Sequence, residues 1–300
     1  MLPARQRSSP TKYEDNSVND PRGQKLKAAA TRIKGGVVRR AIRWSQTQPE
    51  WAQVGPPHPR PTPVVEQALR LSPAMLHDPT PGPALTAELA WQAPADLPLS
   101  QELFRLDGEM LPCWQESDVG LYDDWLINPT YYPYYDAFFQ QVSKPDGPTR
   151  LLEIGVRTGY IAAIFARAAR GRTMYVGVDP NVYLRNGLDL ASATLQRLRS
   201  ELNTNEFALI EGFSWDVDVQ KTLAYSGPFD LIHIDGDHTL LGKLIDLELA
   251  RRLLAPGGLV LVDDYSYHPP ISDAIRRSLA LGWYHEFALI PTMRGLAVLR

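Results

Sequence analysis

The closing stretch WYHEFALIPTMRGLAVLR (283–300) holds two apolar runs, WYHEFALI and GLAVLR, with only a few residues between them. A crossover to a parallel strand needs about a dozen residues or more. The two runs therefore predict an antiparallel hairpin. Upstream, from Thr149, short apolar runs alternate with helical ones. RLLEIG, TMYVGVD, FALIEG, FDLIHID and LVLVDD read as strands. GYIAAIFARAAR (stopped by Gly171), GLDLASATLQRLRSEL, a short helix near 215–224, LLGKLIDLELARRLL (closed by Pro256-Gly257-Gly258) and SDAIRRSLAL read as helices. Such alternation is the signature of an α/β fold around a parallel sheet. Five strands joined by helices, then a helix, then a hairpin, predict a Rossmann-like seven-stranded sheet with an antiparallel C-terminal end. An ordinary dinucleotide-binding fold would continue with helical crossovers instead.

Open α/β sheets bind ligands beyond the carboxyl ends of their strands, so those ends are the places to look. LLEIGVRTGY (151–160) leaves the first strand and opens a helix. Gly155 and Gly159 allow a sharp turn and a close backbone approach to a ligand. Their G-x-x-x-G spacing is not the G-x-G-x-x-G dinucleotide fingerprint. Glu153 lies at the end of the same strand. Asp179 ends the second strand, where a carboxylate can accept both hydroxyls of a ribose. EGFS (211–214) follows the third and offers Gly212, Phe213 and Ser214 beside an adenine.

FDLIHIDGDHTLLGKLIDLELARRLLAPGGLVLVDDY (229–265) is strongly apolar, yet it carries Asp235, Asp237 and His238 at one break and Asp263 and Asp264 at the other. Buried carboxylates are costly unless paired or bound to a cation. Asp235, Asp263 and Asp264 can supply oxygens from the tips of adjacent strands, the donor type that Mg²⁺ prefers. Acids at these two positions also occur where they only orient helices or bind water, so the residues leave both readings open. His238, with a reference pKa of about 6.5, offers a neutral imidazole near pH 7. Asp237 is the rival base, weaker unless desolvated. His233 reads as a core residue of the fourth strand. Tyr265, Tyr267 and His268 either line an acceptor pocket or cap a loop.

With these motifs in place, 149–300 resembles the class I S-adenosylmethionine-dependent methyltransferases. IDGDH with APGGLVLVDD is similar to the metal-dependent O-methyltransferases of natural-product sugars, of the macrocin and mycinamicin type, and more distantly to catechol O-methyltransferase. The resemblance implies S-adenosylmethionine as cofactor, held by Glu153, Gly155, Gly159, Asp179, Gly212, Phe213, Ser214 and Asp235. It implies Mg²⁺ at Asp235, Asp263 and Asp264, with Asp264 replacing an amide of the catechol branch. His238 is the base that the mycinamicin type implies, and Asp237 the one that other related loops imply. The acceptor would be a hydroxyl of a small molecule. Metal-independent transfer to another acceptor atom, or a catalytically silent cofactor-binding module, are the alternatives. Related enzymes often assemble, which leaves a homo-oligomer open.

The rest of the chain reads differently. Residues 1–60 hold twelve Lys and Arg against four Asp and Glu, while the whole chain has net charge −3. Residues 1–48 read as a basic, partly disordered tail with an amphipathic helix over 25–44. That helix either meets an anionic membrane or nucleic acid, or docks on the protein body, the commoner arrangement. Residues 49–100 read as a proline-rich linker with a short helix at PVVEQALRL, and 101–148 as a helical lead-in. The single cysteine, Cys113, excludes an internal disulfide framework and fits a reducing compartment. No apolar run is long enough to cross a bilayer, and no apolar signal core opens the chain. A cytoplasmic location is the expectation.

Overall fold

The computed structural model describes residues 59–89, 100–114, 132–182, 184–202, 205–292 and 294–300. The basic segment 25–44 lies outside them, as does most of the aromatic stretch before Tyr132.

Besides a small ladder of Arg105–Leu106 with Glu109–Met110, the strands of the main sheet are β1 (Thr149–Ile154), β2 (Thr173–Asp179), β3 (Asn205–Glu211), β4 (Phe229–Ile234), β5 (Leu254–Val262), β6 (Phe287–Ile290) and β7 (Leu296–Leu299). They form one sheet in the order β3-β2-β1-β4-β5-β7-β6. The first five are parallel. β7 is antiparallel to both β5 and β6, with Leu261 opposite Val298 and Ala288 opposite the same Val298. The terminal hairpin predicted from its short connection is therefore present, and it slots β7 between β5 and the edge strand β6.

The helices are α1 (Pro63–Arg70), α2 (Pro83–Glu88), α3 (Tyr132–Val142), α4 (Tyr160–Ala168), α5 (Gly187–Leu202), α6 (Val217–Ser226), α7 (Leu240–Leu253) and α8 (Pro269–Ala280). Strand residues alternate between two cores, as the two-residue period of a pleated strand requires. Leu151, Tyr175, Leu231, Leu261 and Val298 face α3, α4 and α5, where Phe138, Phe139, Phe165 and Leu195 close the layer. Leu152, Val176, Ile232, Val260 and Leu299 face α6, α7 and α8. The sheet is thus covered on both sides, as a parallel sheet must be. None of the described helices is long and apolar enough to cross a membrane.

The proline-rich stretch is more than a linker where it is described. Thr62 caps α1 by accepting from Val65 N at 3.3 Å, and Pro63 opens the helix without a missing donor. Val65 and Ala68 are fully buried in the second core. Arg277 of α8 donates to the carbonyls of Ala68 and Leu71 at 2.8 and 2.9 Å, satisfying acceptors that a helix end leaves free. Further on, Gly82 N donates to Phe287 O at 2.7 Å, which covers part of the open edge of β6. In the lead-in, Phe104, Trp114 and Tyr132 pack around Tyr160 at the start of α4, with Tyr132 and Tyr160 stacked at 5.7 Å.

Candidate active site

The carboxyl ends of β1 to β5 converge on one edge of the sheet. After β1 the chain turns at Gly155, whose φ is +94° and whose N–H donates to Val178 O at 2.8 Å. A Cβ at Gly155 would collide with the carbonyl of Asp235, so only glycine lets the β1 loop lie this close to the β4 loop. Gly159, with φ +91°, starts α4 against Ala191 of α5. Between them Arg157 also has positive φ. Its N–H donates to Asp179 Oδ2 at 2.8 Å, and Asn181 N donates to Oδ1 at 2.6 Å. Asp179 therefore ties the first loop to the end of β2 and keeps spare lone pairs on both oxygens.

Glu153 is 1% exposed and points into the protein. Tyr175 donates to its Oε2 at 2.5 Å, and His233 Nδ1 lies 3.8 Å from Oε1. Burial pushes Glu153 well above the usual carboxylate range and lowers His233 to about 4, favouring the neutral form of each. The Glu153 side chain is thus engaged within the sheet, with Tyr175 of β2 and His233 of β4. His233 is a core residue, with Nε2 3.3 Å from Tyr135 Oη, as its place in the fourth strand suggested.

After β3, Gly212 N donates to Asp179 O at 3.0 Å. Phe213 stacks on Trp215 at 4.6 Å, with its N–H held by Asp216. Ser214 is buried, and its hydroxyl donates to Asp246 Oδ1 at 2.5 Å. Asp246, one turn beyond the fully buried Lys243 in α7, is pushed up by burial to about 6. Asp246 and Lys243 carried no motif signal. Only their place on the inward face of α7 reveals them.

The acidic residues at β4 and β5 are brought together, but not as three carboxylates around one point. Asp235 is about a third exposed, and its Oδ1 lies 3.4 Å from His238 Nε2. Burial favours its acid form, but the hydrogen bond and charge of His238, aided by His233 and Lys243, pull its pKa below the usual value. Asp237 turns away to the start of α7, where Oδ1 accepts from Thr239 N at 2.8 Å. Asp263 also turns inward. It is 2% exposed, its Oδ1 accepts from Asp264 N at 2.8 Å, and it bonds with the buried Tyr135 hydroxyl. Burial and the nearby Asp235 and Asp264 raise its pKa strongly. Of the expected donors Asp235, Asp263 and Asp264, Asp263 lies near the other two but is bonded within the protein. Asp263 faces Tyr135 of α3, a partner that the local sequence did not reveal.

Asp264, in left-handed backbone at φ +64°, is gripped by Arg294 Nη1 at 3.0 Å to Oδ1 and 3.3 Å to Oδ2. Its Oδ2 also lies 3.7 Å from His238 Nε2 and 3.6 Å from His268 Nε2. Arg294 comes from the β6–β7 turn and rests over the Tyr267 ring at 5.5 Å. Nothing near it in sequence marked it. His268 was legible as a residue following the acidic pair, without its role.

The sheet edge thus carries a glycine turn and an acid at the ends of β1 and β2 and an acid–histidine cluster at the ends of β4 and β5, in a parallel sheet closed by an antiparallel hairpin. Residues 152–265 match the family model described as "Methyltransferase domain". No curated protein matches the chain. Among solved structures, it is similar to the O-methyltransferase TomG from Streptomyces achromogenes in complex with SAM (18% identity, 64% of this chain, 89% of that one, TM-score 0.43). It is also similar to apo CalS11, a TDP-rhamnose 3′-O-methyltransferase (24%, 76% and 97%, 0.41). A third is MycE in complex with Mg, SAH and mycinamycin VI (19%, 68% and 54%, 0.42).

Proposed function

We propose that the chain transfers a methyl group from S-adenosylmethionine to a hydroxyl of a small molecule, a sugar or related natural product. The observation that carries this reading is the juxtaposition of two half-sites on one sheet edge. The Gly155–Asp179–Gly212 junction suits the nucleoside. The Asp235–His238–Asp264–His268 cluster lies beside it on the adjoining strands β4 and β5 and suits the methyl end of the cofactor.

In the transfer, the acceptor oxygen attacks the methyl carbon in line with sulfur. The C–S bond breaks with its electron pair passing to sulfur, which leaves S-adenosylhomocysteine. The hydroxyl proton must leave as the new bond forms. Asp237 is occupied at the helix start. His238 faces the cluster and takes the proton, with Asp235 at 3.4 Å stabilising the imidazolium. A divalent cation, when bound, would make the hydroxyl more acidic and fix its position. The inward turn of Asp263 does not fit Mg²⁺ on three aspartates. The Arg294–Asp264 pair already neutralises part of the charge of the cluster.

The test is methyl transfer to a panel of glycosides and phenols, followed by mass. We expect His238→Ala to lower kcat by about 10²–10⁴-fold while S-adenosylhomocysteine still binds. Full turnover of His238→Ala would remove His238 as base.

A further inference from the structure

We propose that His238, His268 and Asp264 form a binding site for a first-row transition-metal ion of the Zn²⁺ or Co²⁺ kind, in place of the oxygen-only Mg²⁺ site. The inference rests on the methyl-transfer reading for its catalytic meaning but not for the binding itself.

One ligand atom from each of the three residues lies within 4.8 Å of the other two. Both imidazole Nε2 atoms approach the same oxygen, Asp264 Oδ2, at 3.7 and 3.6 Å. Asp235 Oδ1 adds an approach of 3.4 Å to His238 Nε2. Tetrahedral bonds of about 2.0–2.2 Å place neighbouring donors roughly 3.3–3.6 Å apart. Octahedral Mg²⁺ bonds of about 2.0–2.1 Å would need adjacent donors only about 2.9 Å apart. The donor chemistry agrees with the spacing. Imidazole suits Zn²⁺, Cu²⁺, Fe²⁺ and Ni²⁺, whereas Mg²⁺ selects carboxylate, carbonyl and water oxygens.

The surroundings are built for the cluster. The turn after β5 folds back so that Tyr267 N and His268 N both donate to Asp264 O, at 3.1 and 3.0 Å. That turn carries the His268 ring over its own Asp264 and to within 4.8 Å of the His238 ring centre. Asp264 is fully buried, and Arg294 Nη1 binds its other oxygen at 3.0 Å. A hydrogen bond to the far oxygen of a ligating carboxylate is the usual outer support of a metal site. Arg294 Nη1 also reaches Oδ2, at 3.3 Å, so Arg294 is a positioning residue that fixes the whole Asp264 carboxylate. In the loaded protein the Nε2 lone pair of His238 is a ligand, and its role as proton acceptor belongs to the ion-free protein.

The test uses the full chain stripped with chelator. Co²⁺ is titrated while its visible d–d absorption is followed, and Zn²⁺ and Mg²⁺ are compared by competition. S-adenosylhomocysteine binding is measured on the same samples. We expect one Co²⁺ per chain with a spectrum of mixed N/O coordination, displaced by Zn²⁺ and not by equal Mg²⁺. His268→Ala, and separately His268→Gln, should weaken Co²⁺ binding by about 10-fold or more, Arg294→Met by a similar factor, and Asp263→Asn should leave it unchanged. Retained S-adenosylhomocysteine binding certifies that each variant is folded. The proposal is overturned if Mg²⁺ competes equally, if both His268 variants bind Co²⁺ normally, or if a chain that binds S-adenosylhomocysteine takes up no Co²⁺. Co²⁺ binding without S-adenosylhomocysteine binding would instead support the ion site and refute the methyl-transfer reading.

Discussion

Gly155 shows how a single residue can be read from sequence for the right reason. A glycine just after an apolar strand signals a turn that other residues resist, and the structure supplies φ +94° and the Asp235 carbonyl where a Cβ would go. Gly155→Ala should destabilise the protein by about 3 kcal/mol through clash and backbone strain, measured by urea unfolding. His233 gives a second prediction at this scale. Burial holds its folded-state pKa at about 4, against a reference of 6.5. A histidine kept neutral in the folded state contributes its stability fully above pH 6.5 and loses it as pH falls toward 4, because the unfolded chain takes up the proton first. Wild type should lose about 3 kcal/mol more than His233→Gln between pH 7 and pH 4. Comparison with the variant cancels the opposite trend of Asp246, whose raised pKa favours the folded state at low pH. Equal pH dependence of the two proteins would contradict the neutral buried imidazole.

At the scale of elements, the succession of strands and helices and the terminal hairpin were legible because alternation and loop length are local properties. The docking of the proline-rich stretch was not. The helix at PVVEQALRL could be read from its prolines and spacing. Its seat on the sheet depends on Arg277, 209 residues after Ala68. Arg277→Ala should cost about 3 kcal/mol through lost charged hydrogen bonds and make residues 59–82 newly sensitive to limited proteolysis. Unchanged proteolysis would show that Val65 and Ala68 hold α1 without it. The acidic strand ends follow the same logic. Position along β4 and β5 placed Asp235, Asp263 and Asp264 at one edge. Which way each side chain turns was set by Tyr135 on α3 and Arg294 in the β6–β7 turn.

For the whole molecule, the proposed function divides the sheet edge between a nucleoside half over β1, β2 and β3 and a chemical half over β4 and β5. The turns and the strand-end acid of the first half were visible in sequence, since a tight turn demands glycine and Asp179 closes an apolar strand. The second was visible as a collection of residues, but not as an arrangement. The account depends on the first half accepting the nucleoside, with Asp179 as its anchor. Calorimetric titration of the full chain with S-adenosylhomocysteine tests that most directly. The account predicts one site per chain, with Asp179→Ala weakening binding by about 10-fold or more, the loss expected when about 1.4 kcal/mol or more of hydrogen bonding is removed. An absence of binding, or an Asp179→Ala protein that binds as tightly as wild type, would contradict it.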